Sequence, residues 1–99
     1  MIARFDIHRR LDGRGYLLDL QANILRDLNT RFVAPLLPPT DAPKPAGRLN
    51  PVFTIEGQPH VMVTQFAGAV RISELGPCVG TLQPEDTVVV AALDMLTGA

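Results

Sequence analysis

Residues 3 to 8 alternate in polarity: Ala3, Phe5 and Ile7 fall on one side, Arg4, Asp6 and His8 on the other. A period of two is the mark of a half-buried strand. Asp12-Gly13-Arg14-Gly15 interrupts it with residues that tolerate turn geometry. Tyr16, Leu18 and Leu20 then resume the alternation with Asp19 and Gln21 opposite, which predicts a hairpin. Asn23 to Asn29 lacks a clear period and reads as a short helical turn. A third strand is predicted from Arg31 to Leu37, where Pro35 points to an edge or a bulge.

From Pro35 to Pro51, six of seventeen residues are proline. Missing amides and fixed φ angles make this a stiff extended loop rather than a domain boundary. Val52 to Ile55 and His60 to Phe66 are β-rich runs, and Glu56-Gly57-Gln58-Pro59 between them predicts a second hairpin. Ala67 to Ala69 is a small-residue bend, Val70 and Ile72 suit another short strand, and Gly76-Pro77 is expected to end it. Val79 to Leu82 is too short for the pattern to decide.

The last segment differs in kind. Pro84 suits a first helical turn, and Glu85 and Asp86 suit the positive end of the helix dipole. Val88, Ala92, Met95 and Leu96 recur at helical spacing, with Val89 and Leu93 on the adjoining row. Gly98 lets the chain leave the helix. The architecture predicted is a mainly β, small antiparallel barrel followed by one C-terminal α-helix, as one domain over residues 1–99.

Composition narrows the picture. Ninety-nine residues that are 46% apolar make one small core, and dimerisation is a physically sensible way to enlarge it. A net charge of −1 provides no general attraction for nucleic acid or anionic lipid. Residues 1–48 nevertheless carry about +3 and the remainder about −4, a split read as a solvated surface. Cys78 stands alone, which excludes an internal disulfide and a cysteine-based zinc centre; it is expected to be a small buried residue. The N-terminus lacks a signal-peptide pattern and no stretch is long enough to span a bilayer, so a cytoplasmic protein is expected.

Catalytic patterns are weak. Gly13 and Gly15 lie in a charged turn with no helix behind them, unlike a phosphate-binding loop. His8 and His60 are far apart in sequence, and each is expected to face solvent from a strand rather than to hold a metal. Asp19 is read as the polar face of the second strand, and Asp27 as a loop residue near Arg26 and Arg31. Ser73 has no histidine nearby in sequence.

Several segments together resemble a known family. Leu18-Asp19-Leu20-Gln21 with Ile24-Leu25, then Arg31-Phe32-Val33-Ala34-Pro35-Leu36, then Asn50-Pro51-Val52-Phe53-Thr54-Ile55 with the later Thr64, are similar in order and spacing to the CcdB toxins. The resemblance implies the SH3-like barrel-plus-helix fold shared by CcdB and MazF or Kid proteins, assembled as a homodimer. It further implies a toxin that binds the DNA gyrase A subunit and traps its cleaved-DNA complex. A CcdA-like antitoxin would neutralise it, and the two together would repress their operon, operator DNA being bound only with the antitoxin. No cofactor and no covalent chemistry are implied.

By the same resemblance, Thr97, Gly98 and Ala99 stand at the gyrase-binding tail, and Ile24, Leu25 and Asp94 at partner-contacting positions. One departure matters: family toxins that poison gyrase end in Trp-Gly-Ile, and this chain has no tryptophan. Aligned on the glycine, Thr97 takes the tryptophan position and Ala99 the isoleucine; an ungapped alignment puts Gly98 at the tryptophan instead. Loss of a buried aromatic anchor commonly costs ~2 kcal/mol or more, which would weaken such a contact well over tenfold. Two further readings follow: a relative that keeps only antitoxin binding and operon control, and a MazF-like endoribonuclease for which Arg31, Arg14 and His60 are the residues available.

Overall fold

The structure, a computed structural model, describes residues 2–98. Seven strands form one curled antiparallel sheet: β1 (Asp6–Arg10), β2 (Tyr16–Asp19), β3 (Thr30–Leu37), β4 (Val52–Ile55), β5 (Gln58–Met62), β6 (Gly68–Arg71) and β7 (Leu75–Thr81). Their order is β4-β5-β3-β2-β1-β7, with β6 beside the first half of β3. The helix α1 (Asp86–Thr97) follows a 3-10 turn at Gln83–Glu85. This half-barrel with its terminal helix is the architecture expected from the alternation.

The core forms where the strand faces converge on the helix. Ile7, Leu18, Ala34, Leu36, Phe53 and Ile55 project from the sheet onto Val89 of α1, with Val90 and Leu93 packed against them. Phe5 joins this cluster from just before β1, in a left-handed backbone conformation (φ 72°) unusual for a side chain of this size. Its N–H donates to the Asp19 carbonyl and its own carbonyl accepts from Leu82 N–H, so the residue ties β2 to the chain entering the helix. The helix ends as expected: Gly98 is left-handed and its N–H returns to the Asp94 carbonyl at 2.8 Å.

Pro35 lies inside the sheet rather than on its edge. It pairs with Leu17 of β2, and its carbonyl accepts from Val63 N–H on the other side. That side is where β6 (to Val33) gives way to β5 (from Leu36) as the neighbour of β3. A strand residue's N and O point the same way, so the missing amide falls in the gap between two partners. The second hairpin is tighter than the sequence suggests: Ile55 pairs with Gln58 across Glu56-Gly57 alone, both at positive φ.

Gly76-Pro77 does not end a strand; it lies within β7. That strand is a sheet edge paired only with β1, so proline is tolerated there. Gly76 is required by proximity, because a Cβ would collide with the Arg9 carbonyl oxygen. The short strand expected at Val70 and Ile72 runs instead from Gly68 to Arg71, with Ile72 in a 3-10 turn. The proline-rich loop ends in a 3-10 turn at Gly47–Leu49 on which α1 packs. Asn50, buried, locks it: its side-chain amide donates to the Met62 carbonyl and to Gln65 Oε1 at 2.7 Å, while Thr64 donates to the Leu49 carbonyl. No helix among the described residues is long and apolar enough to cross a membrane.

Candidate functional site

Alternation places one set of strand side chains away from the main core, and these include an ion pair. Asp19 and Leu17 on β2 and Arg31, Val33 and Pro35 on β3 share this second face. Arg31 Nη2 lies 2.7 Å from Asp19 Oδ2 and its Nε donates to the same oxygen at 2.8 Å, with both side chains 0% exposed. Asp19 is therefore not the solvated polar face of its strand, because its alternate position turns it into a second buried layer.

Gln21 completes the arrangement. Its backbone N–H donates to Asp19 Oδ1, its side-chain oxygen accepts from Phe32 N–H, and its amide donates to the Leu25 carbonyl. Burial pushes the Asp19 carboxyl above its ordinary value, opposed by the Gln21 N–H, by Arg31 and by nearby His8. The anchored Leu25 carbonyl holds the 3-10 turn Asn23–Leu25, whose side chains point outward. Ile24 is 88% exposed, and Leu25 and Leu28 are exposed beside it.

The positions implied by the family resemblance fall on separate elements. Ile24 and Leu25 sit on the turn between β2 and β3; Asp94 is half-buried on α1; Thr97 and Gly98 are exposed at its end. Thr97 donates its hydroxyl proton to the Leu93 carbonyl and Gly98 bonds the Asp94 carbonyl, so the tail is tied to the last helical turn. Ala99 lies outside the described residues.

Arg14, Arg31 and His60 are not brought together. Arg14 and His60 line one cleft with Arg9, Tyr16 and Glu56. Arg14 there grips Asp41 at 2.9 Å, and Arg9 grips Glu56 at 2.8 Å. Tyr16 O–H donates to Glu56 at 2.6 Å; the Arg9 and Tyr16 hydrogen bonds hold the Glu56 carboxyl below its usual range. Arg31 lies on the buried face described above.

Both histidines are buried, contrary to the expectation that they face solvent. His60 packs edge-on against the Tyr16 ring, and His8 is covered on the second face of β1. Cys78 is exposed rather than buried, because β7 is an edge strand. Sequence spacing missed the grouping of Asp6, His8 and Cys78, whose ligand atoms all lie within 4.8 Å of one another. The i, i+2 pair Asp6 and His8 was visible; the cross-strand cysteine was not.

Comparison with known proteins places this geometry. The model of the CcdB protein family matches residues 4–98. Among solved structures, the Mycobacterium tuberculosis toxin MazF-mt6 superposes with a TM-score of 0.77 at 19% identity, covering 94% of this chain and 96% of that one. An endoribonuclease in complex with its cognate antitoxin, from Mycobacterial species, gives 0.80 at 15% identity, covering 99% and 96%. At these identities the likeness shows the shared fold. No curated protein sequence matches the chain. The match along nearly its whole length shows that this chain belongs to the CcdB protein family, toxins of toxin–antitoxin systems.

Proposed function

We propose that the chain acts on the A subunit of DNA gyrase as a homodimeric toxin, trapping the cleaved-DNA complex with no covalent chemistry and no cofactor of its own. The observation that carries this reading is the outward placement of Ile24. An isoleucine 88% exposed beside exposed Leu25 and Leu28 contributes nothing to the core and suits a partner. Asp94 and the Thr97-Gly98-Ala99 tail supply the second part of the contact. Burial of Arg31 against Asp19 supports a non-catalytic role, because a substrate phosphate has no access to that guanidinium.

Neutralisation falls to a cognate CcdA-like antitoxin. A structural neighbour of the same fold is bound to its own antitoxin. Operator DNA is contacted only together with the antitoxin, consistent with a net charge of −1. Exposed Leu11 and Phe66 border a groove on the second sheet face that a second copy would cover.

The missing tryptophan favours a second reading, in which the protein keeps antitoxin binding and operon autoregulation but no longer poisons gyrase. A MazF-like endoribonuclease rests only on the cleft that joins Arg14 and His60, where both Arg9 and Arg14 are already paired with acids. Binding to an immobilised gyrase A subunit distinguishes the first reading. Saturable binding that Ile24→Asp weakens at least about tenfold supports it, the size expected for an interface anchor. Absent binding, or binding indifferent to that substitution, contradicts it.

A further inference from the structure

We infer that Asp6, His8 and Cys78 form a zinc-binding site that clips the edge strand β7 to β1. The three side chains offer a carboxylate oxygen, an imidazole nitrogen and a sulfur within 4.8 Å of one another. This donor set suits Zn²⁺, which accepts all three kinds of ligand and needs only three from the protein when a fourth position is left for water.

The backbone explains the convergence. Asp6 and His8 are two apart on β1 and share a face. Regular pairing from Asp6↔Thr81 and Ile7↔Gly80 would set Val79 opposite His8. Instead His8 pairs with Cys78, because β7 carries one extra residue at this point. A bulge of this kind re-aims the side chain that follows it, here bringing Cys78 to the face of Asp6 and His8.

His8 supplies the independent indication of a ligand. It is only 4% exposed, and its Nε2 has no hydrogen-bond partner. Its other ring nitrogen, Nδ1, lies 3.1 Å from the Gly76 carbonyl, which can only accept. In the neutral ring, that contact puts the proton on Nδ1 and the lone pair on Nε2. A backbone carbonyl fixing the ring through one nitrogen while the other faces the ion is the usual outer arrangement of a metal-bound histidine. An orphaned buried nitrogen is otherwise costly. The Asp6 carboxylate is oriented by Ala3 N–H at 2.9 Å, and exposed Cys78 leaves the site an open side through which an ion enters.

The test titrates the purified full-length chain with Zn²⁺ against a chromophoric chelator, and with Co²⁺ as a spectroscopic stand-in. One ion per chain is expected, with a thiolate-to-cobalt charge-transfer band and a melting temperature that rises with zinc. Cys78→Ser should abolish that band, and both Cys78→Ser and Asp6→Asn should weaken zinc at least about tenfold, since loss of even an outer partner costs that much. Cys78 is exposed, so the serine variant keeps the fold, which far-ultraviolet circular dichroism verifies. Failure of the native chain to bind saturably, or affinity that survives both substitutions, overturns the site.

Discussion

Asp19 and Arg31 meet at 2.7 Å across β2 and β3 with neither side chain touching solvent. Asp19 interrupts an apolar run of the sequence and Arg31 heads another, and each alone would be an uncompensated charge in the second buried layer. Their pairing, extended through Gln21, is what positions the turn that presents Ile24.

Breaking this pair from one side should be severe. Arg31→Met leaves a buried carboxylate and is expected to cost about 3–5 kcal/mol in denaturant unfolding. The double variant Asp19→Asn with Arg31→Met should recover part of that loss, because no charge then remains to desolvate and the Gln21 N–H keeps an acceptor. A single variant as stable as the native chain would contradict this account.

The glycines of the first hairpin should separate by proximity rather than by φ. Gly13 and Gly15 are both left-handed, but a Cβ meets open space at Gly13 and the Leu36 carbonyl at Gly15. Gly13→Ala is expected to cost about 1–2 kcal/mol, the usual penalty of a left-handed alanine. Gly15→Ala should cost clearly more, since a backbone atom of the core strand must move. Equal losses in a urea series would remove the distinction.

Glu56 makes stability depend on acid pH. Its carboxyl is held low in the fold by Arg9 and Tyr16. The contribution is therefore present above the unfolded carboxylate value and fades as pH falls through the lower, folded one. Melting temperatures measured downward from neutral pH should fall faster for the native chain than for Glu56→Gln. The difference should be small and shrink with added salt, because the pair is exposed. Parallel curves would refute the assignment.

The helix should reveal its anchored row. Leu93 packs against the main core, whereas Thr87 is exposed near the start of α1. Leu93→Asp should cost about 2 kcal/mol or more, and Thr87→Asp should stay within about 0.5 kcal/mol. Similar losses at both positions would show that the helix packs through a different face.

Much of the architecture could be read from the alternation because most strands have one face in the main core. Phe5, Ile7, Leu18 and Leu20 fall where a period of two puts them. The second buried layer was hidden, because polarity at Asp19, His8 and Arg31 imitates a solvated face. Asp19 and Arg31 are compensated by pairing with each other across two strands, which is not local in sequence. Cys78 was misjudged for the related reason that composition does not reveal an edge strand, and its bulge beside His8 depends on the register of β1 and β7. Ile24 and Leu25 were singled out by family resemblance, whereas their exposure follows from the Gln21 anchor.

The measurement that bears most directly on the gyrase reading is expression of the chain in a bacterial host from a tight inducible promoter, with growth and gyrase-linked DNA breaks followed together. Growth arrest with accumulated breaks, both lost on deleting Gly98 and Ala99 from a chain that still folds, is the predicted result. Normal growth with folded protein in the lysate, or arrest accompanied by RNA cleavage and no gyrase-linked breaks, would contradict it.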